Sequence, residues 1–241
     1  MITETYFNSI VETLTTIKDT QKDNIMSAAR LASEAIKNDG IIYIFGCGHS
    51  HLIALDSFYR AGGLANVSAI LDTDLMLHNG AAKSSHMERM EGIAGQIIKR
   101  YCLTEKDMLF VVSTSGKNSV PVEAAKYASQ NGIKTVGIVS SAYFNDKPVT
   151  DKLLYECVDV YIDNCVPHGD AVIDINGCST KMGSVSTAAS SFIMQSVLME
   201  AAKLAADTGV KLPVYLSGNV EGGKEHNSSI IDEFLPKIKH L

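Results

Sequence analysis

Short apolar runs alternate along most of the chain with longer stretches whose apolar residues recur at helical spacing. Five runs are typical of strands: residues 41–45, 67–71, 108–112, 135–139 and 158–162. They are continuously apolar, as expected for parallel strands that helices cover on both faces. Helices are predicted at residues 52–61, 87–101, 120–130 and 186–207. This order predicts an α/β fold, a three-layer α/β/α sandwich around a five-stranded parallel sheet.

The flanking segments complete this organisation. Residues 2–38 carry apolar side chains at helical spacing, so two helices are predicted ahead of the first strand. The pair Asn176-Gly177 follows the apolar residues 171–175 and indicates the tight turn of a small hairpin. Because no repeat, low-complexity tract or linker divides the chain, we expect a single domain over residues 1–241, with residues 1–38 as an N-terminal helical extension.

Composition limits the classes of partner. The net charge of -6 leaves no basic excess to neutralise a run of phosphates, so neither nucleic acid nor an anionic membrane is expected as a partner. The five cysteines are scattered, without a CxxC pair, and are interpreted as reduced thiols. Residues 1–8 lack the features of a signal peptide, and polar residues interrupt the apolar segment 190–206. We therefore expect a cytoplasmic protein.

A glycine-rich loop, residues 46–51, follows the first predicted strand. Its glycines allow the backbone to approach a ligand, and the next helix directs free amides to the same place. A nicotinamide or flavin site is one alternative, with Asp72 on a ribose hydroxyl, but the dinucleotide pattern needs a third glycine where His51 stands. A turn without any ligand is the other. We expect no cofactor.

A second loop, Ser113-Thr114-Ser115-Gly116-Lys117-Asn118-Ser119, lies between a predicted strand and a predicted helix. Its hydroxyls are able to donate to phosphate oxygens, and the helix start favours an anion. The spacing is not that of a nucleotide P-loop, so a monophosphate fits better than a triphosphate. The alternative is that these hydroxyls only cap the helix.

At these two loops the chain resembles the sugar isomerase (SIS) domain family. Residues 46–54 and 111–140 are similar to its two signature stretches, and the similarity extends over residues 41–207. The resemblance implies a flavodoxin-like five-stranded parallel sheet and a serine loop that binds a sugar phosphate. Lys117 is an extra residue relative to the commonest spacing. The residues expected to bind the phosphosugar are Gly48, Ser50, Ser113, Thr114, Ser115, Gly116, Asn118 and Ser119.

The resemblance also bears on the type of reaction. Residues 158–171 and 217–227 are similar to stand-alone SIS proteins described as phosphosugar isomerases, and the phosphoheptose isomerases share the STSG core of the loop. Those isomerases carry a catalytic glutamate on the helix after the first loop, where this chain has Arg60. Heptose isomerisation is therefore not implied. A homodimer or homotetramer is implied, because SIS domains pair through helices.

Isomerisation moves a proton between neighbouring carbons and needs an acid and a base. Glu88 and Glu91 are three residues apart on one predicted helix face, just ahead of the serine loop, where the related N-acetylmuramic acid 6-phosphate etherases carry a glutamate-rich segment. His226 in a predicted glycine loop is a further candidate, as is His168. The alternatives are a solvated helix face, an exposed histidine and a turn.

Two further side-chain groups carry weaker signals. His49 and His51, with His78 and His86, have loose spacing for metal ligands, so no metal site is predicted. Cys47 is interpreted as a small buried hydrophobe. The sequence thus predicts a phosphosugar isomerase or a related lyase. The alternative is a regulatory module that senses a sugar phosphate without turning it over.

Overall fold

The computed structural model describes residues 1–241 and contains a five-stranded sheet with every strand parallel to its neighbours. In chain order the strands are β1 (Ile42–Gly46), β2 (Val67–Ile70), β3 (Met108–Val112), β4 (Lys134–Val139) and β5 (Val160–Asp163). Their spatial order is β2-β1-β3-β4-β5, and Ile44 of β1 lies between Ala69 and Phe110. The predicted five-stranded parallel sheet is confirmed.

Eight helices surround the sheet. They are α1 (Ile2–Thr20), α2 (Lys22–Lys37), α3 (His51–Ser57), α4 (Ala81–Met87), α5 (Ala94–Lys99), α6 (Ser119–Gln130), α7 (Ser186–Ala206) and α8 (Gly223–Phe234). The two predicted N-terminal helices are confirmed, as is the hairpin, which pairs β6 (Ala171–Ile173) with β7 (Met182–Ser184) in antiparallel fashion. No helix combines the length and apolar character needed to cross a bilayer.

The sheet is buried on both faces because successive side chains of each strand point to opposite sides. In β1, Ile42 and Ile44 join a core formed with α2, α3 and α7. Tyr43 and Phe45 join the core on the other face, formed with α5, α6 and α8. Small residues of α2, such as Ala32, are fully buried against this first core and allow α7 to approach closely. The three-layer sandwich follows from this double burial.

Two predicted helices are shorter than the sequence indicated. The helix expected at residues 52–61 ends at Ser57, because Tyr59 and then Gly62 adopt positive φ angles. Of the helix expected at residues 87–101, only α5 (Ala94–Lys99) is helical, because α4 already ends at Met87 and residues 88–93 are not helical. Gly92 has φ +84°, and its amide donates to both carboxylate oxygens of Glu123 at 2.9 Å. A tertiary contact from α6 therefore decides this break.

The strand order reverses direction between β1 and β3, and this point positions the site. From β1 the chain continues outward to β2, whereas β3, β4 and β5 follow on the other side. The loops that leave the carboxyl ends of β1 and β3 therefore separate to opposite faces and leave a crevice between them. In open parallel sheets ligands bind at this switch point.

Substitution of Leu109 tests how much the core beside the switch point contributes to stability. Its side chain in β3 is 0 % exposed, so Leu109→Ala should lower the free energy of unfolding by about 3 kcal/mol through lost burial and a residual cavity. Leu235→Ala is the matched control, because Leu235 is 54 % exposed and should change stability by less than about 0.5 kcal/mol. Urea unfolding of both variants measures the difference. Equal losses would contradict this description of the core.

Candidate functional site

The serine loop, residues 113–119, has backbone amides without partners. Three of its carbonyl groups accept from amides outside the loop: Ser140 N to Thr114 O (2.8 Å), Val149 N to Lys117 O (2.9 Å) and Leu154 N to Gly116 O (2.7 Å). Gly116 has φ +59°, a left-handed conformation that turns successive amides to one side. The amides of Ser115, Lys117 and Asn118 donate to no group of the chain. Such a concave set of amides binds anions.

The three serine hydroxyl groups of the loop have different roles. Ser113 is buried, and its Oγ accepts from the amide of Gly116 at 3.3 Å, which stabilises the turn. Ser119 is fully buried and donates to the carbonyl of Arg89 at 3.0 Å, so its hydroxyl holds the loop against the preceding segment. The hydroxyl of Ser115 makes no hydrogen bond within the chain and is half-buried. Among these serines, Ser115 has the side chain most available to a ligand.

The loop after β1 lies on the other side of the crevice. Gly48 adopts φ +57°, and Ser50 is half-buried at the start of α3. A Cβ on Gly46 would come within 2.6 Å of the carbonyl of Ser50, so only glycine allows this close turn. Cys47 is buried, and burial together with the charge of Glu88 raises the pKa of its thiol, which makes it unreactive. The structure therefore agrees with a structural role for Cys47.

A small polar cleft joins both loops to the start of α7. Its polar lining consists of His49, Ser50, Thr114, Ser186, Thr187 and Ser190. The α7 residues are oriented by Asp170, whose carboxylate accepts from the amides of Val185 and Ser186 at 2.9 Å and from the Ser186 hydroxyl at 2.6 Å. Sequence reasoning missed this contribution. The only signal was the run of small hydroxyl residues at the start of the predicted helix.

Glu88 lies beside the serine loop, just after the end of α4. Its carbonyl accepts from the amide of Val120 at 3.1 Å, which joins the segment to the first turn of α6. Burial raises the pKa of the Glu88 carboxyl, and the neighbouring Asn118 side chain opposes this shift. The Oδ1 atom of Asn118 is itself buried without a partner. A carboxyl with a raised pKa next to an anion-binding loop is suited to proton transfer.

The other proton-transfer candidates lie apart from Glu88. Glu91 is exposed, and because the helix is broken after α4 the two glutamates do not share a helix face. His226 lies in α8 rather than in a glycine loop, and its Nε2 is 2.9 Å from the carbonyl of Val214. With Gly40 and Asn66, which precede β1 and β2, His226 lines a cavity of about 630 Å³ at the amino edge of the sheet. Within one chain it does not join the serine loop.

The remaining singled-out residues form other contacts. His168 stacks on Tyr143 with ring centroids 4.3 Å apart, and its Nε2 is 3.4 Å from Asp146. Arg60 forms an ion pair with Asp56 of α3. His51 is buried, with Nδ1 hydrogen-bonded to the carbonyl of Gly48. Its ring centroid lies 6.2 Å from that of His78, yet no three histidine, cysteine or acidic side chains are grouped as a metal would require.

Comparison with known proteins places this geometry in context. Residues 5–140 match the SIS domain family. A UPF0309 protein of Geobacillus thermodenitrificans is 44 % identical over 239 residues, which covers 98 % of this chain and 96 % of that protein. A second UPF0309 protein, from Caldanaerobacter subterraneus, is 40 % identical over 242 residues and covers 98 % of both chains.

Solved structures share the fold at low sequence identity. A phosphoheptose isomerase from Francisella tularensis superposes with a TM-score of 0.57 at 16 % identity, over 83 % of this chain and 96 % of that one. A second phosphoheptose isomerase, from Neisseria gonorrhoeae, gives a TM-score of 0.54 at 16 % identity, over 86 % of this chain and 97 % of that one. At these identities the similarity concerns the fold alone.

The raised pKa of Glu88 predicts a pH-dependent stability difference. Below about pH 4 the carboxyl is protonated in both the folded and the unfolded state and costs nothing. As the pH rises, the unfolded state ionises first, so the folded state loses stability until its own pKa is passed. Glu88→Gln removes this loss. The variant should therefore gain stability relative to the parent protein between about pH 4 and pH 7.

Urea unfolding of both proteins at the two pH values measures this gain. Glu91→Gln is the matched control, because the Glu91 side chain is exposed and its removal should give a difference that is nearly independent of pH. A pH-independent difference for Glu88→Gln would show that burial does not act on this carboxyl.

Proposed function

The chain belongs to the SIS domain family and to the UPF0309 group of proteins, and on that premise we propose that it binds a phosphorylated sugar and interconverts its aldose and ketose forms. One observation carries the proposal. The amides of Ser115, Lys117 and Asn118 are unpaired and lie at the switch point of the sheet. A monophosphate group supplies the acceptors that these donors lack.

The phosphate anchor consists of neutral donors. The three loop amides, the hydroxyl of Ser115 and the first turn of α6 bind the phosphate oxygens, and Gly48 and Ser50 border the same crevice. The one cationic residue of the loop, Lys117, forms an ion pair with Asp146 at 2.7 Å and contributes its backbone amide instead. An anchor of neutral donors suits a single phosphate group. Long polyanions are disfavoured by the net negative charge of the chain.

Glu88 is the proposed acid-base group. Its carboxylate takes the proton from C2 of the aldose, and the electron pair forms the double bond of an enediol as the carbonyl oxygen at C1 takes a proton from water. The carboxyl then gives its proton to C1 while the hydroxyl at C2 releases its proton to water, which yields the ketose. A raised carboxyl pKa suits both directions of this transfer, and burial supplies that shift.

We also propose a homodimer or homotetramer in the cytoplasm. Exposed apolar side chains on two packed helices, Phe7 and Val11 of α1 and Met199 of α7, support self-association. His226 lies at the amino edge of the sheet, away from the serine loop of its own chain. A catalytic role for His226 therefore requires that it reach the serine loop of another subunit. The five cysteines are free thiols, which fits a reducing compartment.

The phosphate anchor predicts that Ser115→Ala weakens binding while the fold is retained. Hydrogen bonds to charged groups contribute about 1.5–3 kcal/mol, so the dissociation constant for a bound sugar phosphate should rise about ten-fold or more. Isothermal titration with pentose 5-phosphates, hexose 6-phosphates and heptose 7-phosphates identifies the ligand and measures the change. Ser129→Ala, at the exposed end of α6, is the control. If no phosphorylated sugar binds the parent protein, the proposal fails.

The proposed acid-base role predicts a separate loss in Glu88→Gln. Exchange of the C2 proton of the bound sugar with deuterated solvent should slow by at least about 100-fold, the usual contribution of a general base, while affinity changes little. Proton NMR follows the exchange. Glu91→Gln discriminates between the two carboxylates: loss in that variant alone would transfer the role to Glu91. Binding without exchange in the parent protein would instead indicate a sensor of sugar phosphates.

A further inference from the structure

Asn164 lies at the carboxyl end of β5, directly after its last residue. Its backbone amide donates to the carbonyl of Val139 at 2.7 Å, and its side chain is 0 % exposed. The side-chain Nδ2 lies 3.2 Å from Oγ1 of Thr114 and 3.3 Å from Oγ of Ser190. One buried amide therefore connects the serine loop with the first turns of α7.

The orientation of this amide is fixed by its third contact. Oδ1 of Asn164 is 3.3 Å from the backbone nitrogen of Val166, and a backbone N–H is able only to donate. The oxygen of the amide is therefore the atom next to Val166, and Nδ2 with its two hydrogens faces Thr114 and Ser190. Both hydroxyl oxygens accept from Asn164.

This arrangement leaves the hydrogens of the two hydroxyls free. A hydroxyl has one hydrogen to donate, and an oxygen that accepts from an amide retains that hydrogen for another partner. Neither Thr114 nor Ser190 donates its side-chain hydrogen to a group of the chain. Both residues line the polar cleft together with Ser50 and Thr187. Two hydroxyls, each already accepting one hydrogen bond from Asn164, thus have a hydrogen available to donate into the cleft beside the loop amides.

We propose that Asn164 is a positioning residue that orients Thr114 and Ser190 as hydrogen-bond donors to an anionic group, the phosphate of a bound sugar phosphate. The inference rests on the proposed function and deepens it. A neutral amide fits this role because its donor end forces the hydroxyls to accept, and because it adds no negative charge beside the anion. An aspartate would accept from the hydroxyls and reverse both effects.

The test is Asn164→Asp, which keeps the shape of the side chain and one oxygen for the Val166 amide. The two hydroxyls should then donate to the new carboxylate, so affinity for inorganic phosphate and for the sugar phosphate that binds best should fall about 30-fold or more. Asn66→Asp is the matched control, since Asn66 is an equally buried amide at the amino edge of the sheet. Its affinity should stay within about two-fold of the parent value.

A double-mutant cycle separates positioning from a merely structural role. Asn164→Ala should weaken binding in the parent protein, yet in a Thr114→Val, Ser190→Ala background it should change affinity by less than about two-fold, because the hydroxyls it orients are gone. Circular dichroism and thermal unfolding verify the fold of each variant. If Asn164→Asp does not fold, the double-mutant cycle by itself tests the positioning role.

The outcomes are distinguishable. Undiminished affinity in a folded Asn164→Asp, or an equal effect of Asn164→Ala in both backgrounds, overturns the positioning role while the phosphosugar site stands. Absence of any sugar phosphate binding to the parent protein overturns the proposed function itself, and the positioning role with it.

Discussion

The bonded carbonyl groups of the serine loop are the constraint on which the site depends. Amides from residues 140, 149 and 154 bind those carbonyls from outside the loop. The three peptide planes are thereby fixed, and their N–H groups, those of Ser115, Lys117 and Asn118, point away from the bonded carbonyls. Unpaired amides cost free energy in a folded chain unless water or a ligand satisfies them. For the proposed phosphate ligand the loop is therefore preorganised, and the energy of ligand binding need not be spent on ordering it.

The proposed acid-base role of Glu88 likewise carries a cost in stability. An exposed carboxyl ionises at its ordinary pKa and costs the folded state nothing at neutral pH. Here burial raises the pKa of the carboxyl, and the neighbouring Asn118 side chain opposes the shift. Asn118 belongs to the serine loop, so the proposed phosphate anchor and the environment of the carboxyl depend on the same seven residues. A change in loop geometry would alter binding and proton transfer together.

The fold was largely predictable because its strands are mostly apolar, and because β1, β3 and β4 end at or just before a glycine or a serine. Residues 42–46, 67–70 and 108–112 needed only local pattern, as did α6 and α7. The division between α4 and α5 was not predictable, since the Glu123 carboxylate that holds Gly92 lies 31 residues away. α8 was missed because its glycine-rich start indicates a loop, and its helical part is fixed by packing of Ile230 and Phe234.

The same distinction applies to the site. Contiguous residues such as Ser113 to Ser119 were found because their chemistry is concentrated in one motif, whereas Asp170 and Asn164 stand alone among ordinary turn and strand-end residues. The roles of these two residues follow from distant hydrogen-bond partners and not from their neighbours in sequence. Asp170 fixes the start of α7, and Asn164 joins α7 to Thr114. The loop supplies donors, and these two distant side chains decide the direction in which the hydroxyls around it point. The proposed recognition of an anion is accordingly a property of the sheet edge as a whole, which brings β3, β5 and α7 together at one point.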